Sequence, residues 1–246
     1  MTVYRGGQNI CGASIGVLCL DSLFPKPPGH IKNPSGLNFS VIYETVRGAT
    51  VKELVSNPSV EFIAPFIDAA KRLEAEGVRA ITGSCGFFAL FQKELAAAVE
   101  IPVFASSLIQ VPLVYHLTGA AAPVGVLTAS GDNLTRAHFA AVGAADIPVV
   151  IQGMEGHSEF NDVIIEAKRT AMDVDKIEAE VLAATSAMID THPEIRGIVL
   201  ECTDMPPYAH RLQARFGLPV FDLTTLATMV HDAVCRTPYT GLMPRS

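Results

Sequence analysis

Five cysteines are the residues of this chain best placed to do chemistry: Cys11, Cys19, Cys85, Cys202 and Cys235. Their number is odd, their spacing is wide, and no Cys-x-x-Cys pair occurs, which excludes a disulfide framework and a zinc ribbon or finger. Each is therefore either a buried small hydrophobe or a reactive thiol. Cys85 and Cys202 are set apart by an internal repeat. Shifting the chain by 117 residues lays RAITGSC (79–85) over RGIVLEC (196–202), Ile-Pro-Val-Phe (101–104) over Leu-Pro-Val-Phe (218–221), Leu95 over Leu212 and Phe91 over Tyr208. A shift of 109 lays Ile-Gly-Val-Leu (15–18) over Val-Gly-Val-Leu (124–127), with Asp21 over Ser130. Cys19 lies inside an apolar run, Cys11 near the start and Cys235 in the last helical segment, and these three read as structural.

Both repeated cysteines come directly after a strand-like run and before a helix-like one. That is where ligands bind in open α/β sheets. A helix start favours the thiolate, and its amides can hold a carboxylate. Two lobes related by a pseudo-twofold axis would aim the two thiols at one point from opposite sides. One thiolate could then remove a proton from a carbon acid while the opposite thiol returns one to the other face, with no cofactor needed.

The elements that must position these thiols are legible as alternating patterns. Candidate strands cover 15–20, 39–45, 79–83, 101–105, 124–128, 147–152, 196–201 and 218–222. Most are apolar on both faces, as buried parallel strands are. Helical spacing links Val60, Ile63, Ile67, Ala70 and Leu73, and again Ile177, Val181, Thr185, Met188 and Ile189. Ser158 is the expected N-cap of a helix with Glu159 and Asp162 in its first turn, Gly77 and Gly143 are expected helix stops, and Pro206 or Pro207 opens the helix after the second thiol. The expected fold class is α/β: two pseudo-symmetric lobes, each a small parallel sheet flanked by helices, with the active site in the interlobe cleft. The first lobe is expected to take 1–108 plus 218–246 and the second 109–217.

Composition narrows the function classes. Of 246 residues, 49% are hydrophobic and 17% charged, enough for a folded core. The net charge of −7 and the lack of a basic cluster argue against a nucleic-acid partner. The apolar run 10–20 reads as a buried strand rather than a signal peptide, since Asp21-Ser22 follows it without a small-x-small site. No stretch is apolar enough to span a membrane. The expected compartment is the cytoplasm, with reduced thiols. The loop Pro25–Pro34, which carries His30, Lys32 and Asn33, reads as a rim of the cleft. The other histidines show no ligand spacing, and no metal site is expected.

Four segments together resemble the aspartate/glutamate racemase superfamily, which includes hydantoin racemases, maleate isomerases and arylmalonate decarboxylases. They are Leu-Asp-Ser (20–22), Thr-Gly-Ser-Cys (82–85), Val-Gly-Val-Leu-Thr-Ala-Ser (124–130) and Glu-Cys-Thr-Asp (201–204). The resemblance implies cofactor-independent proton transfer by the Cys85/Cys202 pair, with Asp21 and Asp204 as neighbours that tune the thiols. It implies a substrate-binding set of Ser22, Ser84, Gly86, Phe87, Thr128, Ser130 and Thr203, to which Asn33 of the rim loop is added, and it implies a homodimer. One departure stands out: amino-acid racemases usually follow the first cysteine with Asn-Thr or Asn-Ser, whereas here Gly86-Phe87-Phe88 follows.

The resulting expectation is a racemase or epimerase of a small carboxylated substrate, an aspartate- or glutamate-like amino acid foremost. Alternatives within the superfamily are a maleate-type cis–trans isomerase using one thiol as nucleophile, an arylmalonate-type decarboxylase, and a hydantoin racemase. From another class comes a non-catalytic two-lobed binding protein, which has no need of matched thiols.

Overall fold

A computed structural model describes residues 3, 4 and 6–243 of the chain. Eight short strands form, at the places their Val- and Ile-rich runs predict: β1 (Ile15–Leu20), β2 (Val41–Val46), β3 (Ala80–Gly83), β4 (Val103–Phe104), β5 (Val124–Thr128), β6 (Val149–Gly153), β7 (Ile198–Leu200) and β8 (Val220–Phe221). They make two four-stranded sheets in the orders β2-β1-β3-β4 and β6-β5-β7-β8, and every pairing is parallel. β1, β3, β5 and β7 are buried on both faces. Continuous apolar runs are what such central parallel strands require.

The repeat is carried into the register. Gly16 pairs with Ile81 in the first sheet as Gly125 pairs with Ile198 in the second, and Ile81–Val103 corresponds to Ile198–Val220. Leu95 and Leu212 are both fully buried, each on the helix that leads from a cysteine to the following edge strand. Phe91 and Tyr208 are likewise buried in matching places.

Helices clothe both sheets. The helix Val60–Ala75 is capped by Ser59, whose hydroxyl accepts the Phe62 amide at 3.1 Å, and it buries Ile63, Phe66, Ala70 and Leu73. It ends before Gly77, whose φ of +85° continues the chain into a left-handed turn. The helix Val174–Thr191 buries Ile177, Val181, Thr185 and Met188 beneath the second sheet. Between the sheets, Phe87, Phe88, Leu108, Val111 and Val114 share one apolar cluster with Val124, Val126, Phe139 and Val199, so the two lobes are joined by a common core. Among the described residues, no helix is long and apolar enough to cross a membrane.

Two expectations change. Ser158 is the first helical residue, not the cap. The Glu180 carboxylate accepts the Glu159 and Phe160 amides at 2.9 and 2.8 Å, so a side chain from the neighbouring helix satisfies that terminus. The segment 218–246 also does not return as a unit to the first lobe. β8 is hydrogen-bonded to β7 in the second sheet, and only the following helix, Leu223–Val234, packs on the first, through Leu223, Leu226 and Ala227.

The matched register carries an energetic expectation. Leu95→Ala and Leu212→Ala each remove a fully buried side chain from equivalent sites, and each is expected to cost about 2–5 kcal/mol of unfolding free energy. Urea denaturation of the two variants checks this. A cost below about 1 kcal/mol at either would show that site to be loosely packed.

Candidate active site

Four strands end on one side of the molecule, and the turns that follow them build the site. Cys85 lies two residues beyond β3 and Cys202 two beyond β7. Each thiol faces the amide two residues on, Phe87 N–H for Cys85 and Asp204 N–H for Cys202. The two turns are sewn together: the Thr203 hydroxyl donates to the Ser84 carbonyl at 2.7 Å, and the Ser84 hydroxyl accepts the Leu20 amide at 3.0 Å. Cys85 and Cys202 are 7% and 5% exposed, and the charge of one thiolate is felt by the other. Burial pushes both thiols well above their ordinary range. Glu201 adds to the rise at Cys85, and Asp204, then Glu201, at Cys202.

Glu201 is fully buried at the end of β7. One of its oxygens accepts the Thr128 hydroxyl at 2.7 Å, and the Ala129 amide also donates to the carboxylate. The other oxygen has no partner among the described residues. Desolvation raises this carboxyl to about 7. Asp204 bridges two elements: the Cys202 thiol donates to its Oδ2 at 3.6 Å, and His30 Nε2 lies 3.2 Å from its Oδ1. His30 is buried, and its Nδ1 accepts the Lys32 amide at 2.8 Å, which leaves the ring proton on Nε2, facing Asp204. The result is a continuous hydrogen-bonded chain, Cys202–Asp204–His30, that fixes the thiol and the aspartate in place.

The structure thus gathers Cys85, Cys202, Asp204, Ser84, Gly86, Thr128 and Thr203 in one place. Phe87 presents its amide to Cys85, while its ring packs edge-on against His138 at 5.0 Å in the lobe junction. The remaining sequence candidates are engaged elsewhere. Asp21 accepts the Gly48 amide at 3.0 Å and faces Arg47 at 3.4 Å, so the carboxylates acting on Cys85 are Glu201 and Asp204 instead. Ser22 receives Lys32 Nζ at 3.0 Å. Ser130 donates to Glu155 at 3.0 Å. Asn33 caps the turn Pro34–Gly36. Asp21 and Ser22 instead line a cavity of about 370 Å³ between the lobes, with Phe24 and Val51 facing Val163, Ile164 and Arg169. Cys19 is buried in β1, and burial raises its thiol to about 11. Cys11 and Cys235 line a cavity at the opposite, amino-terminal ends of the strands.

Sequence reasoning passed over Glu201, and it read His30 only as one of three polar residues of the rim loop. Glu201 carried a signal, a lone acid closing an otherwise apolar strand at the repeat position of Ser84. His30 stood in the rim loop, but its partner Asp204, 174 residues away, could not be read from it.

A family model described as Asp/Glu/Hydantoin racemase matches residues 66–230. The chain belongs to this family. Arylmalonate decarboxylase, as a mutant in a sulfate-associated form, superposes with a TM-score of 0.60 at 14% identity, covering 90% of this chain and 92% of that one. Glutamate racemase isoform RacE1 from Bacillus anthracis superposes with a TM-score of 0.57 at 16% identity, covering 90% and 82%. Sequence relatives are nearer. Dimethylsulfoniopropionate lyase 7 of Emiliania huxleyi is 31% identical over 93% of this chain and 69% of its own, and dimethylsulfoniopropionate lyase of Durusdinium sp. clade D is 30% identical over 95% and 79%.

Within this racemase-family fold, Gly86 has a structural reason. A Cβ at this position would collide with both the carbonyl and the carboxylate of Glu201. No side chain, Asn included, therefore fits after the first thiol in this packing. Gly86→Ala is expected to destabilise the protein by about 1–3 kcal/mol. Shortening Glu201 in the same chain restores only part of it, because the carbonyl stays in place; full recovery in a thermal melt would contradict this.

Glu201 also sets a pH dependence. Its folded value of about 7 exceeds the ordinary 4.5, so its contribution is complete below about 4.5 and is lost as pH rises through about 7. The melting temperature of the native protein, relative to Glu201→Gln, is expected to fall between about pH 5 and 8; a flat difference would mean that Glu201 is ionised throughout.

Proposed function

We propose that the protein is a cofactor-independent lyase that splits a β-sulfonio carboxylate, dimethylsulfoniopropionate or a close analogue, by proton abstraction at the carbon next to the carboxylate. The observation that carries this reading is the 30–31% identity to dimethylsulfoniopropionate lyases over 93–95% of the chain. The site geometry supports the same chemistry. Cys202 loses its proton to solvent, the Asp204 amide faces its sulfur, and the thiolate removes the α-proton. The C–H electron pair becomes the α–β double bond, the bond from the β-carbon to the sulfonium sulfur breaks, and dimethyl sulfide departs with that pair. Acrylate remains and Cys202 is again a thiol; the proton released to solvent when Cys202 ionised balances the α-proton it has gained.

The charges suit a cationic substrate. A thiolate beside Glu201 and Asp204 is unfavourable in a dry site. A sulfonium arriving there supplies the missing positive charge and asks for no hydrogen-bond acceptor. Binding of the substrate therefore favours the reactive form of the base.

A second reading, racemisation or epimerisation of an acidic amino acid, is favoured by one specific observation, the equivalent placement of Cys85 and Cys202 in the repeat. The asymmetry of their surroundings favours the lyase. Cys202 has a carboxylate within hydrogen-bond distance, whereas Cys85 has none among the described residues.

Gas chromatography of dimethyl sulfide decides between the readings. The expected result is release from dimethylsulfoniopropionate, with kcat/KM lowered about 10²–10⁴-fold in Cys202→Ser and rising with pH above neutrality as the raised thiol ionises. No dimethyl sulfide, together with solvent deuterium entering the α-position of aspartate or glutamate and lost in both Cys85→Ser and Cys202→Ser, would overturn the lyase in favour of the racemase.

A further inference from the structure

A cavity of about 490 Å³ opens at the amino-terminal ends of the first sheet, on the side away from Cys85 and Cys202. Ser14 and Arg79 of its wall stand just before β1 and β3. Cys11 and Cys235 line the same cavity, together with Arg236, His231 and Glu76. Cys11 is exposed and Cys235 is half-buried, so neither fills the core. Neither the lyase reading nor the racemase reading uses them.

The fold brings these two cysteines to one place from opposite ends of the chain. The helix Leu223–Val234 packs on the first sheet, and His231 Nδ1 meets the Ser14 hydroxyl at 2.8 Å. Beside that contact, Arg79 donates its amide to the Ser14 carbonyl at 2.8 Å and its Nη1 to the Val234 carbonyl at 3.2 Å. Cys11 precedes Ser14 by three residues, a reach of at most about 10 Å, and Cys235 follows His231 by about one helical turn, roughly 6 Å. Gly12, with φ at +93°, lets the chain turn sharply between Cys11 and Ser14. Among the described residues, the hydrogen bonds of the segment 6–13 are those of Asn9, whose amide and side chain donate to Glu76 at 3.2 and 3.1 Å. Cys11 is therefore free to approach Cys235.

The wall around the thiols carries positive charge that is not paired. Glu76 is held by Asn9. Arg79 donates from its guanidinium to the Val234 carbonyl, and Arg236 to the Tyr239 hydroxyl, which leaves most of their donors unused. Among the described residues, neither has a carboxylate within 4.0 Å, whereas Arg72, Arg169 and Arg211 have one at 3.4, 2.8 and 3.2 Å. Cations beside accessible thiols draw in anionic reagents.

We propose that Cys11 and Cys235 are a thiol–disulfide exchange pair, separate from the catalytic thiols, that takes a low-molecular-weight disulfide bearing carboxylates. The Cys11 thiolate attacks one sulfur of that disulfide, its S–S bond breaks, and the departing sulfur takes up the proton that Cys11 gave up. The Cys235 thiolate then attacks the Cys11 sulfur and releases the second small thiol, which takes up the Cys235 proton. Two protein thiols are oxidised to one disulfide, and the small disulfide is reduced to two thiols. The bridge ties the entering segment to the last helix. This chemistry is independent of which reaction Cys202 carries out.

Glutathione disulfide serves as the anionic probe and bis(2-hydroxyethyl) disulfide as its neutral counterpart. Treating the native protein with glutathione disulfide is expected to yield a Cys11–Cys235 cross-linked peptide in mass spectrometry, lost again with dithiothreitol. Cys11→Ser should stop at a glutathione adduct on Cys235, and Cys235→Ser at one on Cys11. Arg79→Met combined with Arg236→Met should slow the reaction with glutathione disulfide about 10-fold, and that with the neutral disulfide by less than about 2-fold. Glutathione adducts on both cysteines of the native protein without a bridge, a bridge to any other cysteine, or equal slowing with the two disulfides would each overturn the assignment.

Discussion

Desolvation of acidic groups is the constraint on which this site depends. Cys85, Cys202, Glu201 and Asp204 crowd into one nearly dry space between two sheets. They cannot all be charged there at once, because each anion raises the cost of the next. Much of the surrounding architecture follows from sharing that cost. Thr128 and the Ala129 amide donate to Glu201, the Phe87 and Asp204 amides face the thiols, and His30 reaches across from a loop to Asp204. The amides come from turns that begin directly after buried strands. The parallel sheets are therefore not merely a scaffold; their carboxyl ends supply the donors that make acidic groups tolerable in this place.

The backbone is symmetric and the chemistry on it is not. The register of β1 against β3 is repeated by β5 against β7, and both thiols follow their strands by two residues. Around Cys85 the chain places Gly86 and two phenylalanines, whereas around Cys202 it places Glu201 and Asp204. The two sets are mutually dependent. The carbonyl and the carboxylate of Glu201 both occupy the space that a side chain at position 86 would need, so the close approach of the two turns requires a glycine after the first thiol. One halved fold thus carries two differently tuned thiols, and the difference is enforced by packing rather than by charge alone.

Much of this was legible in the residues, for reasons that differ by element. Buried parallel strands must be apolar on both faces, so all eight could be located from short runs such as Ile15–Leu20 and Val124–Thr128. The matching placement of the two thiols was legible because both halves of the chain repeat one strand-to-cysteine pattern. Features that depend on distant partners were not. Ser158 looks like a cap, but Glu180 from another helix satisfies those amides. Asp21 looks like the neighbour of the first thiol, yet the Gly48 amide and Arg47 claim it. β8 repeats the β4 sequence in the second half, and it stays in the second sheet because its strand partner, β7, is there.

The proposed function departs from the racemase pattern at the same point. A racemase must run in both directions, and its two bases exchange roles with every reversal, which favours bases of comparable strength. Here one thiol donates to an aspartate backed by a histidine, and the other faces an amide and a buried glutamate. Elimination makes the opposite demand: one base, one direction, and a leaving group that departs as a neutral molecule. The unequal surroundings of Cys85 and Cys202 therefore fit a one-way elimination better than an exchange between mirror images. The equal backbone positions come from the repeated strand register, and the unequal chemistry from the different residues each half places beside its thiol.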